Sequence, residues 1–241
     1  MPNWVKNKIS FEGPEDQIEL MLNSIRTIEK NGDVTYIDFE KIIPMPESLN
    51  IESGSSTDSG VSLIKYLNGD DSELKKMLSY QWVINAGIKT VEELFEDFKK
   101  RGDYEKAIEQ GKKAIFNLEN YGHTSWYSWA VENWGTKWNA SDSYYDEYNE
   151  VLEFSTAWST PEPVMIELSD LHPDITFIVE YADEDIGSNC GRYTLKGGEG
   201  EYVEYDGVGA CEVWGYDPAE YYPEIYRDQQ IDKILGEEEE E

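Results

Sequence analysis

The chain has 241 residues, 39 % of them hydrophobic, enough for a sizeable core and against wholesale disorder. Its formal net charge of −31 argues against bare nucleic acid or an anionic membrane as partner, because binding either depends on cationic side chains. No apolar run approaches the roughly 18 residues of a membrane span. Two cysteines, Cys190 and Cys211, are too few for a disulfide framework. His123 and His172 stand at no ligand spacing with each other or with the cysteines, so neither a metal nor a cofactor is expected. The opening Met-Pro-Asn-Trp-Val-Lys has no basic segment followed by an apolar stretch. A secretory leader is therefore not expected, and a cytoplasm, a host's if the chain is phage-encoded, is the expected compartment.

Val5, Ile9 and Phe11 alternate with polar neighbours as in a half-buried strand. Gly13-Pro14 opens a helix whose buried stripe is Ile18, Leu22, Ile25 and Ile28. Val34 to Ile43 predicts a second extended segment, closed by Pro44 and Pro46. Glu47 to Gly60, rich in Ser and Gly, predicts an exposed loop. A helical block follows: Thr90 with Glu93 is a capping-box pattern, and a second start at Asp103 runs through Ala107, Ile108, Ile115 and Leu118. Trp126, Trp129 and Ala130 share a helical face, with Gly135 placed to end that helix. Leu152, Phe154, Thr156 and Trp158 alternate as a strand, and Thr160-Pro161 begins a helix with Val164, Met165, Leu168 and Leu171 inward. Ile175 to Tyr181 forms the next strand, and two more, around Tyr193–Leu195 and Glu201–Tyr205, flank a Gly-Gly-Glu-Gly turn.

With the middle helical block removed, the pattern is β-α-β twice, which predicts an α+β, ferredoxin-like βαββαβ antiparallel sheet with both helices on one face. The expected organisation is a discontinuous ferredoxin-like domain over 1–46 and 120–206, a helical insertion over 47–119, and a Tyr-rich extension with a disordered acidic tail over 207–241.

Three runs carry a resemblance to a known family: Met1-Pro2-Asn3-Trp4 with Asn7, Phe39-Glu40-Lys41-Ile42-Ile43-Pro44 with Pro46, and Trp134-Gly135-Thr136-Lys137-Trp138-Asn139-Ala140. Phe154 with Thr156-Ala157-Trp158-Ser159, Pro161, Pro163 and Val164 continues the last of them. Together they resemble the YubB-type ferredoxin-like proteins of phages, prophages and plasmids. The chain departs from that pattern at Val5, where members often carry Cys, and at Ala182-Asp183-Glu184-Asp185, where they carry a glycine-aromatic pattern. The resemblance implies a fold and a mobile-element setting. It brings no agreed activity and no catalytic residues.

Charge placement gives the sharpest functional expectation. Residues 1–113 hold 21 acidic and 15 basic side chains, whereas residues 114–241 hold 30 and 5. Carboxylates on a rigid face can imitate the phosphates of a duplex and occupy a cationic groove, gaining on-rate from steering. The expected function is thus a non-enzymatic accessory protein that binds and inhibits a basic host protein, such as a defence nuclease or CRISPR effector, as a nucleic-acid mimic. Its expected contacts are Asp142, Asp146, Glu147, Glu150, Asp183, Glu184, Asp185, Glu199, Glu201, Glu204 and Asp206. Charge that serves only solubility is the plain alternative.

A second class of function is a small-ligand or nucleotide module built on Trp134, Lys137, Trp138, Asn139 and Trp158, which mix flat rings with a cation and an amide. The same rings read first as a sheet-helix core with Lys137 snorkelling to water, the commoner case for such aromatics. A third class is a virion or assembly component. Cys190 in Gly187-Ser188-Asn189-Cys190-Gly191 could act as a nucleophile only beside a cation or helix N-terminus, and its surroundings are negative. Asp183-Glu184-Asp185 lacks the spacing and the closing glutamate of the twelve-residue calcium loop.

Overall fold

A computed structural model describes residues 2–239, with side chains through residue 233. The chain forms two compact units, one made of residues up to Pro44 together with those from Ala130 onward, the other of Met45–Trp129.

The first unit opens with β1 (Trp4–Glu12) and α1 (Glu15–Ile25). A ribbon follows, β2 (Thr27–Ile28) paired with β3 (Val34–Thr35), and then a 3-10 turn at Phe39–Lys41. This corrects the second extended segment expected over Val34 to Ile43. Asp38 turns the chain instead: its Oδ1 accepts from Glu40 N at 3.1 Å, and its Oδ2 accepts from the Thr27 hydroxyl at 2.6 Å. Such side-chain bonds offer the backbone an alternative to a ladder. Ile37, Phe39 and Ile42 are buried from that turn.

The second unit holds α2 (Ser55–Leu67), α3 (Ser72–Met77), α4 (Gln81–Asn85), α5 (Val91–Lys100) and α6 (Tyr104–Tyr121). Its core is Leu63, Leu74, Met77, Val83, Val91, Leu94, Phe95 and Phe98. The Thr90–Glu93 capping box forms with both of its bonds. The expected loop up to Gly60 is overturned from Ser55 onward, because α2 begins there. A Cβ on Gly60 would overlap the Ala107 carbonyl, and one on Gly111 the Gly60 backbone, so glycine here serves close approach of α2 to α6 rather than a turn. The unit boundary falls inside α7 (Trp126–Asn133).

The first unit resumes with β4 (Ser141–Asp146), β5 (Val151–Ala157), α8 (Glu162–Leu171), β6 (Thr176–Asp183), β7 (Cys190–Lys196) and β8 (Glu199–Glu204). All six long strands form one antiparallel sheet in the order β4-β5-β1-β6-β7-β8. β1 lies between β5 and β6, the strands joined by α8, which is the ferredoxin-like βαββαβ order. The repeat's second strand is β4, delivered after the helical unit, and β7–β8 widens the sheet. The β7–β8 hairpin turns on Gly197 and Gly198 alone, at φ 57° and 78°.

Register puts Val5, Ile9, Leu152, Phe154, Phe177, Val179, Tyr193 and Leu195 on one face, which α1 and α8 cover. The opposite face carries the cross-strand row Glu153, Lys8, Glu180 and Arg192, alternating in sign. α9 (Gly207–Trp214) packs on that second face through Ala210 and Val213 against Ala182 and Cys190. Residues 207–214, expected as part of an extension, thus close part of the sheet. α10 (Pro218–Tyr221) and α11 (Pro223–Glu239) follow. The backbone is helical through Glu237–Glu239, where self-repulsion predicted disorder, and Glu240 and Glu241 of that tail lie outside the described residues.

Candidate functional site: an acidic cavity

A concavity of ≈ 660 Å³ in the sheet unit opens where β1 ends, α1 begins and the β4–β5 hairpin turns. It is lined by Phe11, Ile18, Leu22 and Tyr145 together with Gly13 and the glutamates Glu12, Glu15, Glu19, Glu147 and Glu150. Gly13-Pro14 makes the sharp β1–α1 connection that brings three of these glutamates together; a Cβ on Gly13 would stand 3.1 Å from the Asp174 carbonyl oxygen. Asp146 shapes the β4–β5 turn. Its carboxylate accepts from Tyr148 N at 2.9 Å, Asn149 N at 3.1 Å and Asn149 Nδ2 at 2.7 Å, bonds that hold its carboxyl below the ordinary aspartate value. Burial first, and then the negative charges of Glu150, Glu147 and Asp146, push the Tyr145 phenol above its ordinary value. A lining that combines four apolar or aromatic side chains with five glutamates suits a cation on an alkyl stem, the chemistry of a lysine or arginine side chain.

Of the eleven expected contact residues, only Glu147 and Glu150 line this cavity. Asp142 lies on the same β4–β5 edge, whereas Glu199, Glu201 and Glu204 occupy β8 at the other edge, five strand spacings or roughly 24 Å away. The expected contacts are thus divided between the two edges of the sheet. Asp183 is corrected outright: it is 5 % exposed and accepts from Asn3 Nδ2 at 3.2 Å and Asp185 N at 2.8 Å. Asp206 caps α9 through Val208 N and Gly209 N and accepts from Gln229. Glu184 bonds the Trp4 backbone N–H, and Asp185 is exposed beside it. Glu12, Glu15 and Glu19 were not expected, because their segment is nearly charge-balanced; only the β1–α1 turn could have flagged them.

The tryptophan-rich centre divides. Trp134 is 5 % exposed, donates from Nε1 to the Ile43 carbonyl at 2.9 Å and meets Phe39 edge-on, so it is core. Asn139 is a brace: Oδ1 accepts from Phe39 N at 2.8 Å and Ala140 N at 2.9 Å, and Nδ2 donates to Asp38 at 2.7 Å. Both leave the expected ligand set. Lys137, Trp138 and Trp158 stay together, with the Lys137 ammonium 4.5 Å and 4.9 Å from the two ring centroids, and Trp4 joins at 6.1 Å from Trp138. Trp158 does not continue the β5 alternation. Its φ of 76° turns it off the core face to 41 % exposure, held by Trp158 N donating to Asn3 O and by Asn189 Nδ2 donating to Trp158 O.

Burial, followed by Asp206 and Glu204, pushes the Cys190 thiol up, and the thiol donates to the Tyr205 carbonyl at 3.3 Å, the setting of an inert cysteine. Burial likewise lowers His172. No helix among the described residues is long and apolar enough to cross a membrane.

With this geometry in view, residues 133–220 match the family model described as the ferredoxin-like domain in Api92-like protein. The chain carries a ferredoxin-like domain. Among solved structures it is similar to a protein api92 from Yersinia pseudotuberculosis, at 14 % identity over 85 % of this chain and 98 % of that one, with a TM-score of 0.43. No curated protein matches it. The matched span begins beside Trp134, takes in β4 to β8 with α8 and α9, and ends at α10; β1, α1 and Glu12, Glu15 and Glu19 lie outside it.

Proposed function

We propose that this protein is a non-enzymatic accessory factor of a mobile genetic element that captures a basic protein partner and blocks it, the partner being a host nuclease or CRISPR effector. The observation that supports this reading is one cavity lined both by Glu12, Glu15, Glu19, Glu147 and Glu150 and by Phe11, Ile18, Leu22 and Tyr145. A lysine or arginine protruding from a cationic groove would bury its stem on the apolar lining and meet carboxylates at its head. The surrounding field would speed encounter at low salt. In this reading nucleic-acid mimicry belongs to the β4–β5 edge, at the other end of the sheet from β8. The mobile-element setting rests on the YubB-like runs at residues 1–7, 39–46 and 134–140.

The test is capture from a bacterial host lysate at low salt by the intact protein and by a Glu147→Gln/Glu150→Gln variant, with captured proteins assayed for nuclease activity. Basic proteins held by the intact chain, released by moderate salt and absent from the variant are expected, with activity suppressed while bound. Equal capture by the variant, or capture that resists salt, would sink the reading.

The Lys137–Trp138–Trp158 stack favours a second reading, a site for a flat ligand. It predicts that a nucleotide panel raises the melting temperature by linkage. Unchanged melting across the panel removes it. An oligomer in solution would be the sign of an assembly component.

A further inference from the structure

The two edges of the sheet are finished differently. Along β4 the register shifts between Ser141 and Tyr144, Asp142 takes a φ of 51°, and β3 lies against the strand, with Tyr36 N donating to the Ser143 hydroxyl at 2.8 Å. A bulge and a covering segment are two of the devices that keep further strands off an edge. β8, last in the strand order, pairs with β7 from Glu199 to Glu204 without a shift, and all of its residues are exposed.

The hairpin fixes which main-chain groups of β8 face outward. Gly197 and Gly198 form a two-residue turn with positive φ at both positions, so Lys196 and Glu199 flank it as a hydrogen-bonded pair, and bonded pairs alternate from there. Tyr205 N, donating to the Cys190 carbonyl at 3.2 Å, keeps the same alternation at the far end. Glu199, Glu201 and Val203 therefore turn N–H and C=O toward β7. Those of Gly200, Tyr202 and Glu204 point away from the sheet, three donors and three acceptors with no partner among the described residues.

Charge selects what can pair there. Glu199 faces Lys196 across the hairpin, but Glu201 faces Thr194 and Glu204 faces Gly191, so two of the three carboxylates have no cation opposite. A second copy of β8 would set glutamate against glutamate, which destabilises a strand pair, whereas a lysine- or arginine-bearing strand would gain from the same residues. A concavity of ≈ 390 Å³ adjoins the far end of this edge, lined by Tyr181, Asn189, Tyr202 and Glu204 among others, and Glu204 is the one charged residue of its lining. Tyrosine rings beside a carboxylate suit a cationic side chain.

We propose that the β8 edge accepts an extended basic segment of a partner protein as a seventh strand. Its main chain bonds Gly200, Tyr202 and Glu204, and one lysine or arginine enters the concavity beside Glu204, the usual division between backbone affinity and side-chain specificity in strand addition. This surface lies at the opposite edge of the sheet from the acidic cavity and does not depend on it.

The probes are a capped heptapeptide of alternating lysine and valine and the same peptide methylated at every backbone nitrogen. Each is titrated at low salt into the isotope-labelled full chain, with amide hydrogen exchange read by NMR. One-to-one binding of the plain peptide is expected with Kd below about 1 mM, and the methylated analogue should bind at least about fivefold more weakly. At about 90 % saturation, exchange at Gly200, Tyr202 and Glu204 should slow about tenfold, while Glu201 and Val203 are already slow in the free chain. Glu201→Gln/Glu204→Gln, both exposed, should weaken binding about fivefold, and Glu147→Gln/Glu150→Gln should leave it unchanged. The proposal is overturned by no binding, by an analogue within about fivefold of the plain peptide, by unslowed exchange at those three amides, or by loss of binding in the Glu147/Glu150 variant. Slowing that grows with protein concentration alone would assign the edge to a second copy and overturn it as well.

Discussion

Replacing Glu147 and Glu150 with glutamine should stabilise the protein while removing its affinity for basic partners. Glu12, Glu15 and Glu19 are close in sequence, as are Glu147 and Glu150, so repulsion within each set persists in the unfolded chain. Folding creates only the six pairs between the sets. Across a cavity of ≈ 660 Å³ their separation is roughly 9 Å, which at water-like dielectric gives about 0.4 kcal/mol a pair, or about 2.5 kcal/mol for six. Screening with a Debye length of about 8 Å at 0.15 M leaves about 0.8 kcal/mol, and at 0.01 M about 1.8 kcal/mol. For a chain of this size, thermal unfolding by circular dichroism should rise by about 2 °C at the higher salt and about 5 °C at the lower. The Tyr145 phenol, followed by tyrosine carbon NMR, should titrate at lower pH in the variant yet stay above the ordinary value, because burial is the first cause of its shift. A variant that melts lower, or a gain indifferent to salt, would refute the reasoning and make these carboxylates structural.

Asn139→Ala should cost about 2–3 kcal/mol in urea unfolding, because the Phe39 and Ala140 amides and Asp38 lose their shared partner. It should leave the Lys137–Trp138 stack intact, as read by tryptophan fluorescence. Asn7→Val should be neutral or stabilising within about 1 kcal/mol, since it removes a fully buried amide whose Oδ1 has no partner among the described residues while Thr156 keeps its own bond to Ser159. A loss well beyond that would mean that Asn7 supports the sheet through its bond to Thr156 at 2.9 Å. Desolvation, with Glu162 as acceptor, pushes the Tyr202 phenol up to about 12 from 10.0, and burial also raises Tyr181, Tyr193 and Tyr205. Phenols whose folded values are raised contribute stability that is complete below about pH 10 and is lost as pH climbs through the folded values. Stability measured between pH 9 and 12 should therefore fall, and fall less steeply in Tyr202→Phe.

Local physics made β1, α1, β5, α8 and β6 legible, but not the ends of the helical stripes: Ile28 lies beyond α1 and is 63 % exposed, and Leu171 at the end of α8 is 56 % exposed. Val5 and Ile9 alternate cleanly, Gly13-Pro14 and Thr160-Pro161 punctuate helix starts, and β5 and β6 carry the period of a half-buried strand. β4 was hidden. Ser-Asp-Ser-Tyr-Tyr-Asp has no apolar alternation, its register shifts between Ser141 and Tyr144, and Tyr144 is 57 % exposed, as an edge strand permits. The β-like run at Val34 to Ile43 keeps its strand only at Val34–Thr35, because beyond it Asp38 Oδ1 takes the Glu40 N–H that a ladder would have used. Trp134 and Asn139 looked like a site for the same reason they are core: an indole N–H and an amide must find partners when buried. What separated them from Lys137, Trp138 and Trp158 was which backbone groups lay within reach, and those come from residues 38 to 43.

The charge split supplied the right sign and the wrong boundary. Counted from residue 114, acidity looks like a property of the second half, but the folded chain partitions it by unit, 37 acidic against 10 basic in the sheet unit and 14 against 10 in the helical one. The N-terminal segment belongs to the acidic unit because β1 is the central strand, antiparallel to both β5 and β6. Placing β1 there brings Glu12 to the end of the strand beside the β4–β5 turn and carries Glu15 and Glu19 with it on α1. The cavity therefore depends on topology more than on composition. A chain with the same residues but with β1 on an edge would keep its net charge and lose the convergence of the five glutamates.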